Sequence, residues 1–252
     1  MILITRPTKE AKKLKSLLNT YGYKSHINSL SSITQINKNI NFTKGFVILV
    51  TSLRATNIII KSKSLHKEKK FIVVGSSSRD RLNKSGFKNI IYCARSSKEL
   101  MDFLKTKFKK VYKENKLKGI EYFTGTVTTQ SLISNFKGHI NLPIKKKVVY
   151  DTTFIKSLRP NTKKLLKSKK IKICLLFSQQ NAKQFLHLIQ KEKLSECSKD
   201  IKFLTLSPNI SSIIKKEGYK KVSNAKSPTL KSLLVKLLKI DMLWICNNIR
   251  HI

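Results

Sequence analysis

Two similar α/β lobes, each a parallel sheet flanked by helices, are what this sequence predicts. Three observations carry the prediction. The apolar runs Phe46–Val50, Phe71–Val74 and Ile173–Phe177 are short and unbroken, as strands covered on both faces are. Small polar residues and a helical period follow them, the alternation that gives parallel sheets with right-handed crossovers. The order also repeats. Phe46 to Asn57 is matched by Ile173 to Phe185, Gly75 precedes Ser207 by 132 residues, and Gly86 precedes Gly218 by the same interval. A cleft between two halves is a common place for a ligand.

The elements follow in order. Ile2–Thr5 reads as a first strand, and a helix starts at Pro7 or Thr8 with Leu14, Leu17 and Leu18 on one face. Gly22 ends it. His26–Ile36 is polar and Ser-rich and reads as a passage out of the first lobe. After the strand Phe46–Val50, Thr51-Ser52 turns into a helix bearing Ile58 to Ile60. Phe71–Val74 leads through Gly75 to Ser78 into a short helix, Arg79–Ser85, closed by Gly86. Asn89–Tyr92 is a strand, and Ser97 caps a helix through Phe108. Ile120–Phe123 is a strand, Thr129–Phe136 a helix stopped by Gly138, and Val148–Thr152 a β-rich segment. Asn161–Ser168, Ala182–Gln190, Ile210–Glu217 and Pro228–Lys239 read as helices, and Ile201–Leu206 and Lys221–Val222 as strands. The tail 241–252 matches no pattern, although Trp244 gives it an apolar residue with which to dock.

With 252 residues and 40% apolar content the chain builds real cores. It has no apolar stretch of about 18 residues, so no spanning helix is expected. The start, Met1 to Thr5, reads as a strand rather than a secretory signal, and a cytoplasmic location is the default. Cys93, Cys174, Cys197 and Cys246 are dispersed, and the five histidines form no ligand spacing; no metal site is expected. The net charge is +40, from 53 basic and 13 acidic residues. Nucleic-acid binding is the sharp reading of such a balance. However, 46 of the basic residues are Lys and only 7 are Arg, whereas base readout and bidentate phosphate clamps favour Arg. Compositional drift is therefore the stronger reading, and the same field would attract an anionic small substrate.

Ligands of open α/β sheets bind beyond the carboxyl ends of strands. The turns expected there are Thr5-Arg6, Thr51-Ser52, Gly75 to Ser78 (with Ser76 between), Thr124-Gly125-Thr126, Ser178 to Asn181 and Ser207 to Asn209. Helix N-termini with free N–H groups hold carboxylates or phosphates. Each turn alone is explained by ordinary capping; six in two halves suggest a polyanion site made of Arg6, Thr51, Ser52, Gly75, Ser76, Ser78, Thr124, Ser178, Asn181 and Ser207. No acidic residue stands in these turns, and no GxGxxG, GxxxxGK[ST] or GxSxG motif occurs. Any catalysis would rest on positioning and charge stabilisation.

These residues resemble the uroporphyrinogen-III synthase family over nearly the whole chain, from Ile2 to about Leu238. The resemblance rests on Ile4-Thr-Arg-Pro7, Val50-Thr-Ser-Leu-Arg-Ala55, Val73-Val-Gly75 with Gly86-Phe87, and Val149-Tyr-Asp-Thr152. It continues through Leu176-Phe-Ser178, Asn181-Ala-Lys-Gln-Phe185, Leu206-Ser-Pro208, Gly218-Tyr219 and Ala225-Lys-Ser-Pro-Thr229. It implies two α/β lobes joined by two linker crossings, 1–35 plus 152–240 and 36–151. It implies a substrate, hydroxymethylbilane, that carries eight carboxylates, loses its hydroxyl as water, inverts its last pyrrole ring and closes into a macrocycle. No metal or organic cofactor is implied. Tyr150 matches the family's candidate for assisting loss of the hydroxyl, and Thr51, Ser52, Gly75, Ser78, Ser178 and Ser207 match its carboxylate-holding turns. A cytoplasmic monomer without specific nucleic-acid or membrane partners is expected; the alternative is a basic α/β nucleic-acid-binding module without catalysis.

Overall fold

The computed structural model describes residues 1–36, 39–127 and 142–249; the helix expected at Thr129–Phe136 and its stop at Gly138 lie outside them. In chain order the first elements are β1 (Ile2–Ile4), α1 (Thr8–Thr20), β2 (Ser25–Ile27), β3 (Ser31–Gln35), β4 (Phe46–Val50) and α2 (Leu53–Ile59). Then come β5 (Phe71–Val74), α3 (Ser76–Lys84), β6 (Ile90–Ala94), α4 (Ser97–Thr106), α5 (Phe108–Glu114), β7 (Gly119–Gly125) and β8 (Ile144–Phe154). The rest are α6 (Pro160–Lys167), β9 (Ile173–Leu176), α7 (Gln179–Lys191), α8 (Ser195–Ser198), β10 (Lys202–Thr205), α9 (Pro208–Lys216), β11 (Val222–Asn224) and α10 (Leu230–Ile249). The chain divides into two units, Met1–Ser32 with Thr153–Ile252, and Ile33–Thr152.

The first unit holds a five-stranded parallel sheet ordered β11-β10-β9-β1-β2. Its register puts Leu3, Cys174 and Phe203 side by side, and Ile4, Leu175 and Leu204 likewise. Successive strand side chains point to opposite faces. Leu3, Cys174 and Phe203 therefore pack with Phe185 and Ile189 of α7 and Ile214 of α9. Ile4, Leu175 and Leu204 pack with Leu14 and Leu18 of α1 and Leu233 and Leu237 of α10. Both faces are dry, which is why these strands read as unbroken apolar runs. Burial pushes the Cys174 thiol far above its ordinary pKa and keeps it a core residue. At the β2 edge, Thr162 Oγ1 donates to Asn28 Oδ1 at 2.7 Å, so its oxygen is left to accept from His26 Nε2 at 2.9 Å. Burial, then Lys15 and Arg159, lower the His26 pKa and favour the neutral ring.

The second unit holds six strands ordered β3-β8-β7-β4-β5-β6, parallel from β8 to β6. Ile48, Val50, Phe71 and Phe123 face Ala55 and Ile59 of α2 and Leu82 of α3. Val47, Leu49, Ile72 and Tyr122 face Leu100, Phe103 and Leu104 of α4 and Phe108 of α5. The sequence repeat is thus a structural one: β4, β5 and β6 are consecutive neighbours here, as β9, β10 and β11 are in the first unit. Gly86 and Gly218 sit at φ +82 and +86, closing α3 and α9.

Several boundaries differ from the sequence reading. His26–Ile36 contains β2 and β3 rather than only a polar passage. Both lie at the outer edge of their sheets, where one side needs no apolar partner. α3 begins at Ser76, not Arg79, because Gly75 at φ +89 turns the chain straight into the helix. Ser96, not Ser97, caps α4, its Oγ accepting from Glu99 N at 3.2 Å. Lys107 interrupts that helix, and α5 follows. β8 runs well beyond Val148–Thr152 at both ends, and α10 continues to Ile249, through most of the expected unpatterned tail.

A Cβ built on Gly218 would meet nothing within 4 Å, so only its φ of +86 opposes a side chain. Gly218→Ala is expected to lower stability by about 1–2 kcal/mol through backbone strain alone. Urea unfolding checks this: the midpoint should fall with the slope unchanged.

Candidate active site

In the second unit the carboxyl ends of β4, β5, β7 and β8 lie on neighbouring strands and carry most of the predicted residues. Tyr150 lies on β8, at one side of the four. β7 and β8 shift register between Thr124 and Gly125, which sets Gly125 opposite Tyr150. The ring lies directly on that glycine: a Cβ there would sit 2.3 Å from Tyr150 Cε2. Tyr150 is 8% exposed, and its hydroxyl is 3.3 Å from Ser52 Oγ. Ser52 is held in turn as the cap of α2, accepting from Ala55 N at 3.2 Å. Either hydroxyl can be the donor in the Ser52–Tyr150 contact; with Ser52 donating its proton, the phenol proton is available to a third partner.

Around this pair, Thr51 Oγ1 lies 3.0 Å from the Tyr122 hydroxyl, itself buried in the sheet. Thr126 Oγ1 donates to the Asp151 carboxylate, and Thr126 N to Tyr150 O at 3.0 Å. Gly75 caps α3 without a side chain, its N bonded to Ala94 O at 2.8 Å, and Ser76 is exposed in the first turn. Ser78 and Thr124 are buried, at 2% and 4% exposure. Ser78 lies on the same side of α3 as Leu82, and Thr124 pairs within the sheet beside Val148.

In the first unit the ends of β1, β9 and β10 are likewise neighbours. Arg6 places its guanidinium 4.7 Å from the centre of the Phe177 ring. Ser178 caps α7, accepting from Asn181 N at 3.2 Å. Asn181 is buried, its Nδ2 on Thr5 O and its Oδ1 accepting from Ser31 Oγ. It therefore braces the turn from within. Ser207 precedes α9 and its hydroxyl makes no capping bond; Pro208 opens the helix, where its missing N–H costs nothing.

Each unit thus gathers its own predicted residues, and no ligand-like group of three His, Cys, Asp or Glu occurs among the described residues. No described helix is long and apolar enough to cross a membrane. Two participants escaped the sequence reading, and a third was placed without its role: Gly125 stands in an expected turn, but nothing local shows that it makes room for a ring 25 residues away. Tyr122 looked like one more apolar strand residue. Asp151 is visible beside Tyr150, but strand alternation places neighbours on opposite faces, and only the sheet shows Thr126 reaching it.

Comparison with known proteins bears on the fold and the family. A pairwise search of curated proteins finds no significant match. Uroporphyrinogen-III synthetase from Helicobacter pylori 26695 shares the fold at a TM-score of 0.58 and 17% identity, over 95% of this chain and 98% of that one. A mutant uroporphyrinogen III synthase from the extremely thermophilic bacterium Thermus thermophilus shares it at a TM-score of 0.64 and 10% identity, again over 95% and 98%. The family model described as uroporphyrinogen-III synthase HemD matches residues 12–235. With that match spanning most of the sequence, the chain belongs to the uroporphyrinogen-III synthase family, cyclising hydro-lyases of haem and tetrapyrrole biosynthesis.

Proposed function

We propose that Tyr150 assists the dehydration step of uroporphyrinogen-III synthesis, and that the glycine and serine turns found in each unit are carboxylate-binding. The substrate is hydroxymethylbilane. Its hydroxyl leaves, the last pyrrole ring inverts, and the macrocycle closes with one water lost overall. A pyrrole nitrogen's lone pair can expel the hydroxyl, leaving a delocalised cation. What the leaving oxygen needs is a hydrogen-bond donor where negative charge develops. The observation that carries the assignment is the Ser52–Tyr150 contact at 3.3 Å, which lets a phenol fixed against Gly125 direct its proton outward. Such assistance contributes roughly 10- to 1,000-fold.

The cradles divide by chemistry. Gly75 and Ser76 open α3, Ser178 opens α7 and Ser207 precedes α9, and each of these helices has at least nine residues. Their first-turn N–H groups and dipoles suit carboxylates. Arg6 adds a fixed positive charge, and Thr51 a hydroxyl next to Ser52, Tyr150's partner. Ser78, Thr124 and Asn181, being buried, support these turns rather than touch substrate. On this reading the lysine excess favours approach of a polyanion. The protein acts as a cytoplasmic monomer without a metal or organic cofactor and without a specific nucleic-acid partner.

The direct test gives purified protein hydroxymethylbilane in the presence of a chelator. The expected product is the III isomer; only the spontaneously formed I isomer would overturn the assignment. A second test uses Gly125→Ala. Its Cβ would overlap the Tyr150 ring and push it off Ser52. A displacement of about 1 Å is expected to slow turnover by roughly 100-fold. Single-turnover kinetics beside a thermal melt check this, and full turnover in the folded variant would remove the ring's position from the account.

A further inference from the structure

A cavity of about 580 Å³ opens at the amino edge of the six-stranded sheet, within the size range of small-molecule sites. Its lining residues lie at the starts of β4, β5 and β7: Phe42, Lys44 and Phe46 from one segment, Lys69 and Lys70 from the next, and Lys116 from the third. The strands are parallel. The cavity is therefore separated from Ser52 and Gly75 by a strand's length, on the order of 15 Å.

The wall is built, not merely basic. Glu121 of β7 is fully buried and accepts from Thr43 N at 3.1 Å and Thr43 Oγ1 at 2.6 Å, with Lys147 Nζ at 2.7 Å. This fixes the Phe42–Lys44 segment from beneath. Thr43 O accepts from Lys69 Nζ at 2.6 Å, and Asn115 O from Lys70 Nζ at 3.1 Å. An ammonium has three N–H groups, so each of these half-buried lysines retains donors after meeting its carbonyl. Among the described residues, four lysines line the cavity against one acid, Glu68. Two aromatic side chains, Phe42 and Phe46, supply an apolar wall.

We propose that this cavity is a second ligand site, for an organic anion with two or more negative charges and a flat apolar face. The paired ammoniums meet the charges and the phenylalanines meet the face. Lys69 supports this: burial lowers its pKa, Glu121 raises it and Lys147 lowers it. A bound anion would restore favourable surroundings to its charged form. The inference does not depend on the reaction assigned above.

The probes are benzene-1,3,5-tricarboxylate and phenyl phosphate, titrated calorimetrically into the full chain. At least one should bind, and Lys69→Met/Lys70→Met should weaken it at least tenfold. Lys12→Gln/Lys13→Gln, exposed on α1, should leave it unchanged. Tighter binding of the tricarboxylate or of the phosphate would identify the anionic group. Should the Lys69/Lys70 variant fail to melt cooperatively, the exposed pair Lys44→Gln/Lys116→Asn takes its place, and a threefold or greater loss is expected. No binding of either probe would overturn the proposal. So would a loss equal to that of the α1 control, or none on removing the cavity lysines.

Discussion

The register between β7 and β8 is the constraint on which the functional reading depends. One shift, between Thr124 and Gly125, sets a residue without a side chain opposite Tyr150. The ring can then lie on the backbone, and its hydroxyl reaches Ser52. In an unshifted parallel ladder every side chain below Tyr150 would move by one position, and strand alternation would exchange the faces. The placement of one phenol thus follows from how two strands pair, not from Tyr150's own neighbours.

The rest of the molecule holds such edges still. Both sheets are covered on both faces by apolar helices, so each strand end is fixed by packing along its whole length. Removing a large buried side chain such as Phe185 or Phe203 would cost about 3–5 kcal/mol, a large fraction of ordinary domain stability. Polar residues at the carboxyl ends then serve two purposes. Ser52 and Ser178 complete a helix start, and Asn181 ties α7 to β1 through Thr5 O. Because helices begin where strands end, structural caps and anion-holding N–H groups come from the same short turns.

Much of this was legible in the sequence, and the exceptions have physical causes. Central strands such as β4 and β9 announce themselves because two dry faces demand unbroken apolar runs. The 132-residue repeat showed two related sheets, and Gly86 and Gly218 do occupy equivalent positive-φ stops. Edge strands were missed: Ser25–Ile27 and Ser31–Gln35 carry too few apolar residues to differ from a loop, and only their neighbours make them strands. The turns were found, but not the direction of their side chains. Ser76 and Ser78 are two residues apart, yet one is exposed and the other buried, because a helix turns about 200° between them. Glu121 was the least visible feature. A lone carboxylate in an apolar strand gives no hint that Thr43 and Lys147 will meet it.

The central claim is that the Tyr150 hydroxyl, oriented by Ser52, acts on the leaving group. A double-mutant cycle of Tyr150→Phe and Ser52→Ala, read by single-turnover formation of the III isomer beside thermal melts, tests it most directly. Tyr150→Phe should slow the reaction by roughly 10- to 1,000-fold with the melt nearly unchanged. Adding Ser52→Ala should then cost much less than it does in the wild-type protein, because the two groups act as a unit. Full activity in a well-folded Tyr150→Phe variant, or strictly additive losses, would contradict the account and leave positioning alone to explain the chemistry.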